Sequence, residues 1–192
     1  MPATDEIYEK YLQKAIVEIN ELAHEVAQAG GARIPVVGSG HPLGDVMLLK
    51  YQPQPAEVQE GVAFYGRAGQ AILKSLQRLR IDPMSVYGTN CVKFADGTEE
   101  ESRPFLRREL YIVQPKLIVP MGESSVEFLN SIEFPLADVV HYKPGEFQRF
   151  TATVQALVVP DIDSSLDEAP AKTKFWTAFK PLGDWWSQLP PY

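Results

Sequence analysis

Along the first part of the chain the apolar residues fall three and four apart. Ile7, Tyr8, Tyr11, Leu12, Ala15, Ile16, Ile19, Leu22, Ala23 and Val26 make one stripe, which predicts an amphipathic helix from Asp5 to Gln28. Thr4 is placed to cap it, Asp5 and Glu6 lie in its first turn, and Gly30-Gly31 ends it. The pattern then changes. After the glycine-rich turn Val36 to Pro42, the run Asp45-Val46-Met47-Leu48-Leu49 is almost wholly apolar, as expected of a strand buried on both faces. Lys50 to Val62 has prolines and glycines but no period and reads as a loop at that strand's carboxyl end. Helical spacing returns from Arg67 to Leu79, with Ala68, Ala71, Ile72, Leu76 and Leu79 inward. Further strands are expected at Val86 to Val92, Leu117 to Met121 and Val154 to Val159. Further helices are expected at Arg103 to Val113, Glu123 to Leu129 and Ala171 to Trp186, the last docking through Phe175, Trp176, Phe179 and Trp185.

Strands that alternate with helices predict an α/β fold, a three-layer sandwich with a central, mostly parallel four-stranded sheet flanked by helices. The 192 residues suit one domain, with the helix of residues 1–31 packed on it. Ligands of such sheets bind at the carboxyl ends of the strands, where Lys50 to Phe64, Asn90 and Asp163 should converge. One strand is odd: Thr89-Asn90 places two polar side chains in an apolar run. A buried Asn costs stability unless something pairs with it, so a function for Asn90 stands beside a purely structural role.

Composition narrows the classes. With 45% apolar and 22% charged residues the chain is neither a disordered tract nor a coiled coil. Its longest apolar runs fall far short of the roughly 18 residues of a membrane span, and its start has no signal-peptide pattern. The lone cysteine, Cys91, makes neither an intrachain disulfide nor a cysteine-rich metal site. These features lead to the expectation of a cytoplasmic monomer with no membrane partner, no metal and no cofactor. A net charge of -7 argues against a wholesale electrostatic grip on nucleic acid but leaves room for a local basic patch.

Two stretches at fixed order and spacing carry a resemblance. Leu48-Leu49-Lys50-Tyr51-Gln52-Pro53-Gln54-Pro55-Ala56-Glu57 leads into Gly61-Val62-Ala63-Phe64-Tyr65-Gly66-Arg67-Ala68-Gly69, and Thr89-Asn90-Cys91-Val92-Lys93 follows. They resemble the uracil-DNA glycosylase superfamily, and within it the family-four type, whose pattern is G-E-x-P-G-x-x-E, P-F-V-G-R-A-G, T-N-V-V-K, L-G and a late H-P-S. Met121-Gly122 falls on the fourth element and Asp163-Ser164-Ser165 on the last, and the resemblance runs from about Arg33 to Trp186. It implies a DNA glycosylase of base excision repair, which flips uracil or another deaminated base out of single- or double-stranded DNA and hydrolyses its N-glycosidic bond. Phe64 takes the place of the aromatic that stacks on the base, and Asn90 that of the amide that reads its edge. Read alone, Phe64 is a core-packing residue before it is a functional one. Glu57 falls on a carboxylate of the pattern, with solvated loop surface as the other reading. Leu166 falls on the wedge, and Ser165, Lys93 and Arg67 on the DNA side.

The departures are as informative. Tyr51 stands where the pattern has a carboxylate, at the base. Gln52 holds the position where related branches carry Asp, Asn or Gln, and could orient the attacking water. Asp163 replaces a histidine beside the base's O2, where a carboxylate would repel the charge that develops there, although it could act as a general base or stabilise the sugar cation. Asp167-Glu168 follow the wedge and should repel phosphate, with Lys93, Arg67 and His141 to Arg149 as compensation. The four cysteines of the family-four iron-sulfur cluster are missing, with Phe94 at one position, and the N-terminal helix is the candidate replacement. A second reading is therefore a catalytically silent relative that binds DNA or a nucleobase. A third, a nucleotide-phosphate hydrolase holding phosphate at Lys50, lacks the glycine-rich nest that class uses. Gly38-Ser39-Gly40, Met121 to Ser125, and His24, His41 and His141 carry no motif that survives its spacing test.

Overall fold

The computed structural model describes residues 2–190. Seven helices and six strands follow in the order α1 (Pro2–Gly30), β1 (Ser39–Gly40), β2 (Val46–Lys50), α2 (Pro55–Glu60), α3 (Arg67–Arg78), β3 (Val86–Asn90), α4 (Glu99–Val113), β4 (Leu117–Pro120), α5 (Glu123–Ser131), β5 (Phe147–Arg149), β6 (Gln155–Leu157), α6 (Ala169–Phe179) and α7 (Pro181–Ser187). The strands form one sheet in the order β1-β3-β2-β4-β6-β5. The inner four are parallel and are the four that the apolar runs predict, while β1 and β5 are antiparallel edges. The expected four-stranded sheet is thus six-stranded. Its edges escape the pattern because two or three residues, partly solvent-facing, leave no apolar run to read.

Alternation along β2 divides the core. Val46 and Leu48 face α3, α6 and α7 through Ile72, Leu76, Phe175, Phe179 and Leu182. Met47 and Leu49 face α4 and α5 through Leu106, Leu110, Val126 and Phe128. The N-terminal helix lies outside α4, where Ala15, Leu22 and Val26 pack on Phe94 and Ile112. Phe94 is wholly buried, and a methyl at Gly30 would come within 2.3 Å of its ring, so α1 ends on a residue without one.

Three boundaries differ from expectation. The segment Lys50 to Val62 is not all loop: Pro55 starts the short helix α2, the Glu57 carboxylate accepts from the Gln54 N–H at 2.6 Å, and Gly61 closes it at φ 71°. Proline at the first helical position and a left-handed glycine after the last are ordinary helix ends, but six residues are too few to show a period. Helix α4 begins at Glu99 because Thr98 caps it, accepting from the Glu101 N–H while the Glu101 carboxylate accepts from the Thr98 N–H. The tail is two helices, α7 starting at Pro181. Among the described residues no helix is long and apolar enough to cross a membrane.

Candidate functional site

β2 ends on Lys50 and β3 on Asn90, paired in register. By strand alternation both side chains share the face of Leu48 and Gly88, and both are fully buried. A lysine at that depth needs partners, and it has two. Its Nζ donates to Glu57 Oε2 at 2.7 Å and to Asp163 Oδ2 at 2.8 Å. Glu57 comes from α2, Asp163 from the single turn Asp163–Ser165 after β6. Burial pushes the Asp163 carboxyl above its ordinary range, against the opposing pull of the Lys50 ammonium. Asp163 keeps 15% of its side chain exposed and Lys50 none, so the carboxylate lies toward solvent and the cation beneath it.

Glu57 also organises the aromatic. Its Oε1 accepts from the Phe64 N–H at 2.6 Å and from Asn90 Nδ2 at 3.4 Å. Phe64 is left-handed, at φ 63°, which costs about 1 kcal/mol or more in a bulky residue, and two glycines make room for it. A Cβ at Gly69 would fall 1.7 Å from the Phe64 carbonyl oxygen, and one at Gly88 would fall 2.7 Å from its ring. The ring lies 5.5 Å from Lys50 Nζ. Phe64 and Asn90, distant in the chain, therefore meet on one face of the sheet. The space between them is bridged by Glu57, and the cavity of about 450 Å³ that Phe64 lines runs toward Leu73 and Pro83. Asn90 Oδ1 is buried with no hydrogen-bond partner among the described residues. With Nδ2 turned to a carboxylate that can only accept, that carbonyl is an open acceptor at the heart of the cluster.

Behind the sheet a second cluster fixes Asn90 from its backbone. Lys93 Nζ donates to the Asn90 carbonyl at 2.6 Å, to Thr89 Oγ1 at 2.7 Å and to the Glu109 carboxylate. The Tyr87 hydroxyl donates to Glu109 at 2.6 Å, and burial, then that carboxylate, holds Tyr87 well above its ordinary pKa. The oddity of Thr89-Asn90 inside a strand is thus resolved as two networks, one on each face.

The DNA side expected from the sequence is rearranged. Lys93 is buried and committed to Glu109, so it does not face phosphate. Ser165 is buried, its hydroxyl donating to the Asp161 carbonyl at 2.6 Å. Leu166, which follows the turn at Asp163–Ser165, is half-buried and packs against the core on the α3 and α6 side of the sheet. Arg67 is at the surface, paired with Asp167 at 2.6 Å. Tyr51, expected at the base, points to the opposite face. Its hydroxyl donates to Glu99 at 2.7 Å, which with burial raises its pKa to about 12. Gln52 is exposed beside the cluster's loop. Glu57 is core, not solvated surface. The residue that sequence reasoning passed over is Lys50, considered there only as a phosphate ligand. The two carboxylates on its ammonium remove the phosphate reading. Its signal was that of Asn90, a polar side chain closing an apolar strand.

The carboxyl ends of an α/β sheet thus carry an aromatic and a buried carboxamide linked through one carboxylate, and comparison with known proteins gives the family. Residues 37–180 match the model of the uracil DNA glycosylase superfamily. The chain belongs to that superfamily. It is similar to the type-4 uracil-DNA glycosylase of Sulfurisphaera tokodaii, 31% identical over 105 residues that span 50% of this chain and 48% of that protein. Over longer stretches it is similar to the type-4 enzymes of Archaeoglobus fulgidus, at 25% over 78% of this chain and 80% of that one, and of Saccharolobus solfataricus, at 27% over 77% and 78%. An iron-sulfur cluster of the family-four kind does not fit the residues here. Cys91 is the one cysteine, fully buried and with its thiol pushed up by burial, and Phe94 fills the core beneath α1 where a ligand would stand.

Proposed function

We propose that this protein takes a uracil or related deaminated base, flipped out of single- or double-stranded DNA, and hydrolyses its N-glycosidic bond, working as a monomer in base excision repair. The observation that carries the reading is the open, buried Asn90 Oδ1 on the same face of the sheet as the Phe64 ring. An acceptor beside an N–H donor suits the edge of an oxo-base, and an aromatic face replaces the stacking that flipping removes. Extrusion costs a few kcal/mol, and stacking returns about 1–3 kcal/mol per base, so the slot can hold what it reads. Entry of the base requires the Phe64 loop or the Lys50 cluster to open. Gln52, exposed at the mouth, orients the water. The type-4 relatives are named for this activity, which supports the reading.

The test is direct. Purified protein is incubated with oligonucleotides holding uracil, hypoxanthine or xanthine, and abasic sites are then cleaved. Release from at least one base is expected, with Asn90→Ala slowing it by about 100-fold or more. A second reading, binding without cleavage, is favoured by the compact pairing of Lys50 with Glu57 and Asp163, which closes the site. Tight binding of a base-modified oligonucleotide with no abasic product would establish that reading and overturn the first.

A further inference from the structure

We infer that Lys50 is a catalytic residue, the cation that stabilises the departing base, and that Asp163 faces the sugar; this rests on the hydrolytic reading above. An ammonium has three N–H donors, and the structure gives two of them to Glu57 and Asp163. The third has no acceptor among the described residues and is left for the oxygen of a base that enters beside the Phe64 ring, 5.5 Å away, and the open Asn90 Oδ1. Depth orders the charges. Lys50 is wholly buried whereas Asp163 reaches solvent, and a flipped nucleotide enters base first with its sugar at the mouth. Cation therefore meets base, and carboxylate meets sugar.

That order matches the reaction. The C1′–N bond breaks with its electron pair leaving on the base, so negative charge develops deep in the slot and positive charge on the sugar near its entrance. A water oxygen bonds to C1′, and the proton that water loses balances the one the base anion takes up. Lys50 keeps its own protons and donates a hydrogen bond to the base oxygen. Fixed charge aimed at developing charge in a dry site is where such groups act most strongly. The carboxylate at position 163, which alone would oppose departure of an anion, is thereby bound to the group that assists it.

Leaving-group dependence tests the role. Single-turnover release is measured from oligonucleotides containing uracil or 5-fluorouracil, the latter leaving as the more stable anion, with wild type and Lys50→Met. Loss of about 100- to 1,000-fold is expected on uracil, and at least tenfold less loss on 5-fluorouracil, which needs less help. Since Lys50→Met strands two carboxylates, folding is checked by circular dichroism and thermal melting. If it fails, Lys50→Met/Glu57→Gln, which neutralises the fully buried partner, carries the same comparison against Glu57→Gln. Equal slowing on both bases, or none, makes Lys50 structural and overturns the inference while the glycosylase reading stands. A wild-type protein that releases neither base overturns that reading and the inference with it.

Discussion

Asn90 is fixed through its side chain on one face of the sheet and through its carbonyl on the other, and the second hold accounts for a lysine that the sequence misassigned. In Thr89-Asn90-Cys91-Val92-Lys93 nothing in the spacing distinguishes a lysine that reaches outward to phosphate from one that folds back three residues to its own strand. The deciding partner, Glu109, lies on helix α4. Removing Lys93 leaves that carboxylate buried without a counter-charge, held by the Tyr87 hydroxyl alone, so Lys93→Met should cost about 3–5 kcal/mol in urea unfolding. Lys93→Met/Glu109→Leu should recover most of the loss while lowering base release, because the Asn90 carbonyl has then lost its donor. A Lys93→Met protein of unchanged stability would refute the network. The aromatic and the amide were legible from motif residues; the cation between them was not, since its partners sit seven and 113 positions away.

Elements were legible where burial wrote a period. The four inner strands fall where the apolar runs predict them, the α3 stripe faces the core, and so does the α1 stripe from Ala15 to Val26, while Ile7, Tyr8 and Tyr11 ahead of it are exposed. The edge strands and α2 were lost for want of length, and Glu57, picked out by its motif position alone, gave no sign in that loop that it joins Phe64 to Asn90. Contacts between elements were also out of reach, among them the tie from the end of α1 to the start of α4, where Arg33 donates to Glu101 at 3.2 and 2.6 Å. Arg33 first, then the Thr98 N–H, lowers the Glu101 carboxyl from 4.5 to about 2. A depressed acid adds stability that is whole above its unfolded value and disappears as pH falls through the folded one. The tie should thus hold above pH 4.5 and fade toward pH 2. Glu101→Gln should lower stability at neutral pH by about 1 kcal/mol or less, the contact being partly exposed. It should also flatten the acid limb between those values in denaturant titrations at stepped pH. An unchanged limb would show that the tie contributes nothing.

At the scale of the molecule, the charge of -7 and the pairing of Arg67 with Asp167 leave little for phosphates. Affinity for DNA should depend weakly on salt, with a log-log slope no steeper than about -3, equivalent to some three phosphates. Fluorescence anisotropy of a labelled abasic oligonucleotide across salt concentrations measures it, and a slope near -6 would reveal a basic surface that the fold does not display. Recognition would then rest on the flipped nucleotide far more than on the duplex around it. The back-to-back ionic clusters also bear on how such a site changes over generations. Lys50 answers to Glu57 and Asp163, and Lys93 to Glu109, so loss of either lysine strands a carboxylate in the interior. A change at either lysine is therefore tolerated best together with a change at its carboxylates, and a protonated histidine placed at position 163 by itself would stand beside the Lys50 ammonium, a neighbour of the same sign.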